Sequence, residues 1–293
     1  KNELLLAELT EAVGRLNKSP ANVEEFVVYL EFHTKVTERM DIIEADFETV
    51  KEMYLFFDSE KLSVKEEDHL LYNTGTVANM HSLRSLLGKT EDDKDSQIRH
   101  FGMDITEQLD QLRGRTLDVE KRAQDPRIDD DTSNIDEVIA YLESLAEELQ
   151  DIKDKERDYT NYQELFGLNV TRLEEVNNVG RDVADKIKLW TGMRDWQKIT
   201  GEWTNTRFNS INPEEVAEKV QLYTKIVSQT ARALPENPVV PKLRSLVDEF
   251  KLTVPVIQCL RNPALQKHHH AAIDEIVGRE ISRDPDYTLG VLI

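Results

Sequence analysis

Apolar residues recur in a heptad pattern along the first long segment of the chain. Between residues 23 and 58 they alternate four and three positions apart, as Val36, Met40, Ile43, Phe47, Val50, Tyr54 and Phe57. This spacing places them on one face of an α-helix and predicts a long helix buried along that face. Asn22 can cap this helix, with Glu25 completing a capping-box pair. The step from His33 to Val36 is one residue short of the heptad, which predicts local overwinding.

A second heptad segment follows Ser133 and continues to residue 166. Its a positions are Ile135, Leu142, Leu149, Glu156 and Gln163, and its d positions are Val138, Leu145, Ile152, Tyr159 and Phe166. The a series becomes polar at Glu156, so we expect neighbouring helices to separate there.

Glycine and proline are scarce, with 11 Gly and 9 Pro in 293 residues, and no long stretch alternates with the period of a strand. We therefore predict an all-α fold, an elongated bundle of long antiparallel helices followed by a compact array of shorter ones. The polar run at residues 88–95 predicts a break between a helix at 66–87 and another at 96–123. Trp and Pro become frequent after residue 190, which suggests two domains, residues 1–189 and 190–293.

Charge and cysteine content exclude several classes of function. The formal net charge of −20 argues against binding nucleic acid or an anionic membrane surface. A single cysteine, Cys259, excludes a disulfide framework, and its apolar neighbours predict a buried thiol. Because Lys1 lies inside a helical pattern, we expect the chain to be a segment of a longer polypeptide.

No catalytic, cofactor or metal site is predicted. Gly88-Lys89-Thr90 ends like a phosphate-binding loop, but the Gly required at position 83 is Leu83. His268–His270 are adjacent and cannot share one ion in a helix, and His270 with Asp274 supplies only two ligands. We therefore expect no enzymatic activity in this segment.

Three tryptophans within fourteen residues are the least generic feature of the sequence. Trp190, Trp196 and Trp203 fit either a core or a contact surface, since tryptophan anchors both.

The last third of the chain resembles dynein heavy chains. The resemblance rests on the three tryptophans with Phe208, on the run from Leu234 to Leu243 with its prolines, and on KLTVPVIQCLRNPAL at residues 251–265. Within that family, this part of the chain is similar to the region where the tail of the heavy chain continues into the linker. It looks more like axonemal than cytoplasmic dynein heavy chains. The family usually has Arg-His-Trp where this chain has His268-His269-His270. That difference puts a family contact at His270 in doubt.

The resemblance implies a non-catalytic mechanical segment of an ATP-driven microtubule motor, ahead of the motor ring. ATP and magnesium would bind elsewhere in the parent motor. The implied partners are the rest of the heavy chain with its ring, and intermediate chains, light chains or another heavy chain, with microtubules contacted only indirectly. The implied location is the cytoplasmic cytoskeleton, in a cilium or flagellum axoneme. The alternative is a helical scaffold of spectrin or coiled-coil type with no motor activity.

The same resemblance suggests a junction or interface in the last third. Its candidate residues are Trp190, Trp196, Trp203, Phe208, Phe250, Pro255, Leu260, Asn262 and Pro263. We expect the three tryptophans to line a junction between the N-terminal bundle and the C-terminal helices.

Overall fold

The computed structural model describes residues 1–277 and 288–292. Its α-helices within these residues are α1 (Asn2–Leu16), α2 (Val23–Ser59), α3 (Glu66–Leu70), α4 (Ala78–Arg122), α5 (Ile135–Leu165), α6 (Glu174–Asn205), α7 (Pro213–Ala233), α8 (Val239–Leu260), α9 (Lys267–Val277) and α10 (Leu289–Leu292). A π-helical turn, Leu71–Val77, joins α3 to α4, and short 3₁₀ turns lie at Pro126–Ile128 and Phe208–Ser210. The described residues contain no strand, only one isolated bridge between Arg207 and Thr288. The predicted all-α class is confirmed.

The first heptad segment forms α2 almost as predicted. The Asn22 side chain accepts a hydrogen bond from the Glu25 backbone at 2.8 Å, and the Glu25 carboxylate accepts one from the Ala21 backbone. The first bond satisfies a backbone donor that a helix start leaves free, and the second ties Glu25 to the residue before the cap rather than to Asn22 itself. The buried residues of the seam are Phe26, His33, Val36, Ile43, Phe47 and Val50.

The predicted break at residues 88–95 is wrong, because α4 runs through it without interruption. Thr90 is buried in the middle of that run, and its hydroxyl lies 2.7 Å from the hydroxyl of Tyr29 in α2. Packing against α2 therefore holds the polar run in helical form, while its charged side chains remain in water. Tertiary contacts outweigh the low helix propensity of Gly88 and the neighbouring aspartates.

The chain folds into two compact units. Unit 1 comprises residues 1–111 and 157–172. Its apolar core lies where α1, α2 and α4 meet, and its buried members are Leu5, Leu9, Ala12, Leu16, Val36, Ile43, Phe47, Val50, Met80 and Leu83. At the other end of this unit, Phe26 stacks on Phe101 with ring centres 4.5 Å apart and also meets Phe166 at 5.3 Å.

Unit 2 comprises residues 112–156 and the chain from 173 onward, in which 278–287 and 293 are not described. In this unit α4 and α5 are antiparallel: Arg115 pairs with Asp151 at 3.2 Å, and Arg122, further along α4, pairs with Glu148, earlier on α5. The helix α7 begins as the sequence predicts, with Asn212 capping and Pro213 in the first turn.

The predicted division between residues 189 and 190 falls inside α6, within unit 2. The ranges 1–189 and 190–293 remain a prediction about domain organisation.

The polar a positions of α5 have a structural role. The Gln163 side chain accepts a hydrogen bond from the Thr171 backbone at 2.7 Å, and the Glu156 carboxylate accepts one from the Leu173 backbone. Both bonds satisfy backbone N–H groups in the connection that leads into α6. A leucine at either position could not accept such a hydrogen bond. Helix separation at these positions remains a prediction.

Cys259 is exposed, so its predicted burial is wrong. In α8 the buried position is Ile257, and Cys259 is turned about 200° away from it around the helix axis.

Candidate functional site

The helix α6 carries all three tryptophans, and their spacing divides them between two faces. Trp196 and Trp203 are seven residues apart, about two helical turns, and therefore lie on the same face. Trp190 precedes Trp196 by six residues and lies on a different face.

Trp196 lies at the centre of an aromatic cluster that joins three helices of unit 2. Its ring meets Tyr223 of α7 at 5.0 Å and the edge of Phe250 of α8 at 5.7 Å. Trp203 approaches Trp196 edge-on at 6.2 Å and Phe250 at 5.1 Å. We call Trp196, Trp203, Tyr223 and Phe250 the aromatic cluster.

Burial and ring geometry both stabilise the aromatic cluster. Trp196 is only 1% exposed, Tyr223 and Phe250 are buried, and Trp203 is half-buried. Tilted and edge-on ring pairs contribute about 0.5–1.5 kcal/mol each beyond the burial of their surface. Burial also raises the pKa of Tyr223, because the phenolate would lose its hydration, and the negative charge of Asp195 raises it further. The cluster therefore fixes α6 against α7 and α8.

Trp190 has a separate role, since it contacts the connection between α4 and α5. Its indole Nε1 donates a 3.0 Å hydrogen bond to the carbonyl of Ile128. One turn earlier, the buried Lys186 donates at 2.8 Å to the carbonyl of Ala123 and forms an ion pair with Asp182. Both groups satisfy backbone oxygens at the end of α4 and in the turn after it. They therefore hold this connection against α6.

A cavity of about 400 Å³ lies beside Trp190, between α6, the end of α4 and the connection from α7 to α8. Its charged lining residues are Glu120, Asp129, Asp182 and Lys186, and Lys186 forms an ion pair with Asp182. The described residues contain no group of three or more His, Cys, Asp or Glu placed to hold a metal ion.

The structure brings together some of the predicted junction residues and separates others. Trp196, Trp203 and Phe250 meet in the aromatic cluster. Phe208 is buried in its 3₁₀ turn. Pro255, Asn262 and Pro263 are exposed, and Leu260 is half-buried.

Asn262 accepts a hydrogen bond from the Ala264 backbone at 2.9 Å, as expected of a turn after a helix. His270 lies in α9, but its side chain is outside the described residues. Whether these residues form a junction or interface remains a prediction.

Sequence reasoning missed Tyr223 and Lys186 as members of this site. Tyr223 lies on the apolar face of α7, and only the tertiary packing shows that it meets a tryptophan. Lys186 resembles the many exposed lysines of the chain, so its burial carries no sequence signal.

Comparison with known proteins decides the family. Residues 176–293 match the family model of the dynein heavy chain, N-terminal region 2. The match begins just inside α6 and includes the whole aromatic cluster. The chain belongs to the dynein heavy chain family. The predicted resemblance is therefore confirmed.

Two relatives align with nearly the whole chain, and a third aligns with about half of it. Human dynein axonemal heavy chain 6 is 30% identical over 277 residues, which cover 94% of this chain and 7% of that protein. The dynein-1-beta heavy chain of the flagellar inner arm I1 complex, from Chlamydomonas reinhardtii, is 21% identical over 282 residues, 94% of this chain and 6% of that protein. Rat dynein axonemal heavy chain 1 is 26% identical over 155 residues, 49% of this chain and 3% of that protein. The chain thus spans less than a tenth of the length of each of these relatives.

Proposed function

We propose that this chain is a non-catalytic mechanical segment of a dynein heavy chain. It transmits nucleotide-dependent conformational change from a motor ring, elsewhere in the heavy chain, toward the tail. Family membership supports this role, and so does the helical architecture of the two units.

The observation that carries the proposal is the continuity of α4 where the sequence predicts a break. The helix has 45 residues and is about 68 Å long at 1.5 Å per residue. A helix transmits force along its axis only while its hydrogen bonds continue, and a polar loop at residues 88–95 would absorb displacement instead. Thr90, buried against Tyr29, secures the helix at this place.

The same continuity supports the absence of nucleotide chemistry in this segment. Gly88, Lys89 and Thr90 lie within α4, so their backbone N–H groups bond inside the helix. A phosphate-binding loop needs such groups free and pointing at the phosphates. We therefore assign ATP and magnesium to other parts of the heavy chain.

The partners and location follow from the family and the charge. We propose the rest of the heavy chain, including its motor ring, as the main partner, with intermediate chains, light chains or a second heavy chain as further partners. A net charge of −20 would be repelled by the acidic surface of a microtubule, so contact with the microtubule is indirect. The axonemal and flagellar names of the relatives favour a cilium or flagellum. None of the described helices combines the length and apolarity needed to cross a membrane.

The proposal is tested on the native polypeptide. An antibody raised against residues 190–277 should detect a band many times larger than this segment, and that band should leave microtubules when ATP is added. A band near the size of this segment would contradict the proposal and favour the scaffold of spectrin or coiled-coil type.

A further inference from the structure

Large apolar side chains are exposed where α2 ends and the next helical stretch begins. They are Met53, Leu55, Phe56, Leu62, Leu70 and Leu71, with exposed fractions between 37% and 62%. We call these six residues the α2–α3 tip. A concentration of exposed apolar residues in so short a stretch is unusual for a surface that only faces water.

Local contacts show that the backbone beneath the α2–α3 tip is well formed. The ring of Tyr54 stacks on Tyr72 with centres 4.1 Å apart and planes 11° apart. The Tyr54 hydroxyl donates to the carbonyl of Asp68 at 3.2 Å, and the Leu62 N–H donates to the carbonyl of Phe57 at 2.9 Å. The exposed side chains thus stand on folded backbone, and fraying of α2 does not account for their exposure.

A π-helical turn follows α3 and contains Leu71 of the α2–α3 tip. Its i→i+5 bonds place more residues in a turn than an α-helix does, so the α-helical spacing of α3, which ends at Leu70, does not continue unchanged into α4. The turn is anchored to α1, because Gly75 leaves room for Leu6 and the buried Thr76 hydroxyl donates to the Asn2 side chain at 2.7 Å. Single π turns of this kind are frequent at functional sites.

Several acidic side chains lie in the same stretch of sequence as the α2–α3 tip. Exposed carboxylates without an ion-pair partner in the described part of the chain are Glu52, Asp58, Glu60, Glu66 and Glu67. Of the three nearby lysines, Lys51 is already paired with Glu48 at 2.9 Å. A ligand that covers this stretch would therefore meet exposed apolar side chains interspersed with carboxylates, which outnumber the two remaining lysines, Lys61 and Lys65.

We propose that the α2–α3 tip, six exposed apolar residues beside unpaired carboxylates, docks an amphipathic helix of a partner protein whose apolar face is flanked by Lys or Arg. The apolar face would cover the leucines and Phe56, and the basic flanks would neutralise the carboxylates. An anionic membrane is disfavoured by the same carboxylates, since both surfaces are negative. The proposal is independent of the mechanical role, so its failure leaves that role untouched.

The test uses the 293-residue chain and a labelled helical peptide of about 18 residues, with Leu on one face and Lys on the other. We expect saturable binding of one peptide per chain that weakens as salt is raised. The double substitution Leu55→Ser and Phe56→Ser should weaken binding about tenfold or more, because each removes an apolar side chain from the interface. Glu60→Lys with Glu66→Lys should weaken it as well.

Matched controls separate this site from general attraction to an acidic protein. Leu252→Ser with Val256→Ser removes two exposed apolar residues of α8, 78% and 45% exposed, and should leave binding unchanged. A peptide with Glu in place of Lys should not bind. The proposal is overturned if the α8 variant weakens binding as much as the tip variant, if several peptides bind per chain, or if the tip variant instead abolishes self-association of the chain. Because all substituted residues are exposed, unchanged circular dichroism should show that the variants fold.

Discussion

Truncating Trp196 should destabilise unit 2 more than any other single change in the aromatic cluster. A fully buried Trp→Ala change costs about 3–5 kcal/mol through lost transfer free energy and the cavity left behind. The ring of Trp196 meets three other aromatic rings, so we expect a loss of about 4–5 kcal/mol. Trp203 is half-buried and meets two rings, so Trp203→Ala should cost about 2–3 kcal/mol.

Urea unfolding, followed by tryptophan fluorescence and by circular dichroism, measures the stability of unit 2 separately. All three tryptophans lie in α6, so their emission reports on unit 2, whereas circular dichroism reports on both units. With a slope of about 2 kcal/mol per molar, Trp196→Ala should lower the urea midpoint of the fluorescence transition by about 2 M. Trp196→Phe keeps a ring in place and serves as the control, with a smaller loss. A loss below about 1 kcal/mol for Trp196→Ala would refute the packing described for α6, α7 and α8.

Three further predictions concern hydrogen bonds and charge. Lys186→Met removes the donor to the carbonyl that follows α4 and should destabilise unit 2 by about 1–3 kcal/mol, read from the fluorescence midpoint in urea. The Arg127 side chain and backbone lower the pKa of Asp125 from 3.8 to about 2. The stabilisation from this pair should be complete above pH 3.8 and lost as the pH falls toward 2, and Arg127→Gln should raise the pKa toward its ordinary value in an NMR titration. Gln163→Leu should speed hydrogen exchange of the Thr171 amide and cost unit 1 about 1–2 kcal/mol, and unchanged exchange would contradict the bond described.

Regular apolar spacing made the long helices predictable from the sequence. The seam from Val36 to Phe57 predicts α2, and the capping pair at Asn22 and Glu25 predicts its start. The Asn212-Pro213 pair likewise predicts the start of α7. These signals are local, because a cap or a helical face depends on residues a few positions apart.

The features that sequence reasoning missed depend on contacts between distant residues. Local propensity predicts a break after Gly88, but the hydroxyl pair of Thr90 and Tyr29 joins positions 61 residues apart. The burial of Lys186 depends on a carbonyl 63 residues earlier in the chain. The aromatic cluster was predicted only as a candidate set, since the sequence shows three tryptophans but not that Tyr223 lies against one of them. A periodic pattern predicts which face of a helix is buried, but the residues that pack against that face depend on the tertiary fold.

The most direct test of the mechanical role compares ATP turnover with microtubule gliding velocity in a purified heavy chain that contains this segment. Leu145 is buried in α5, so Leu145→Ala should loosen unit 2 by about 2–5 kcal/mol, while the exposed Glu143→Ala serves as the matched control. We expect Leu145→Ala to lower gliding velocity at unchanged ATP turnover, because force transmission is impaired and the chemistry is not. Unchanged velocity, or an equal fall in velocity and turnover, would contradict a non-catalytic mechanical role for this segment.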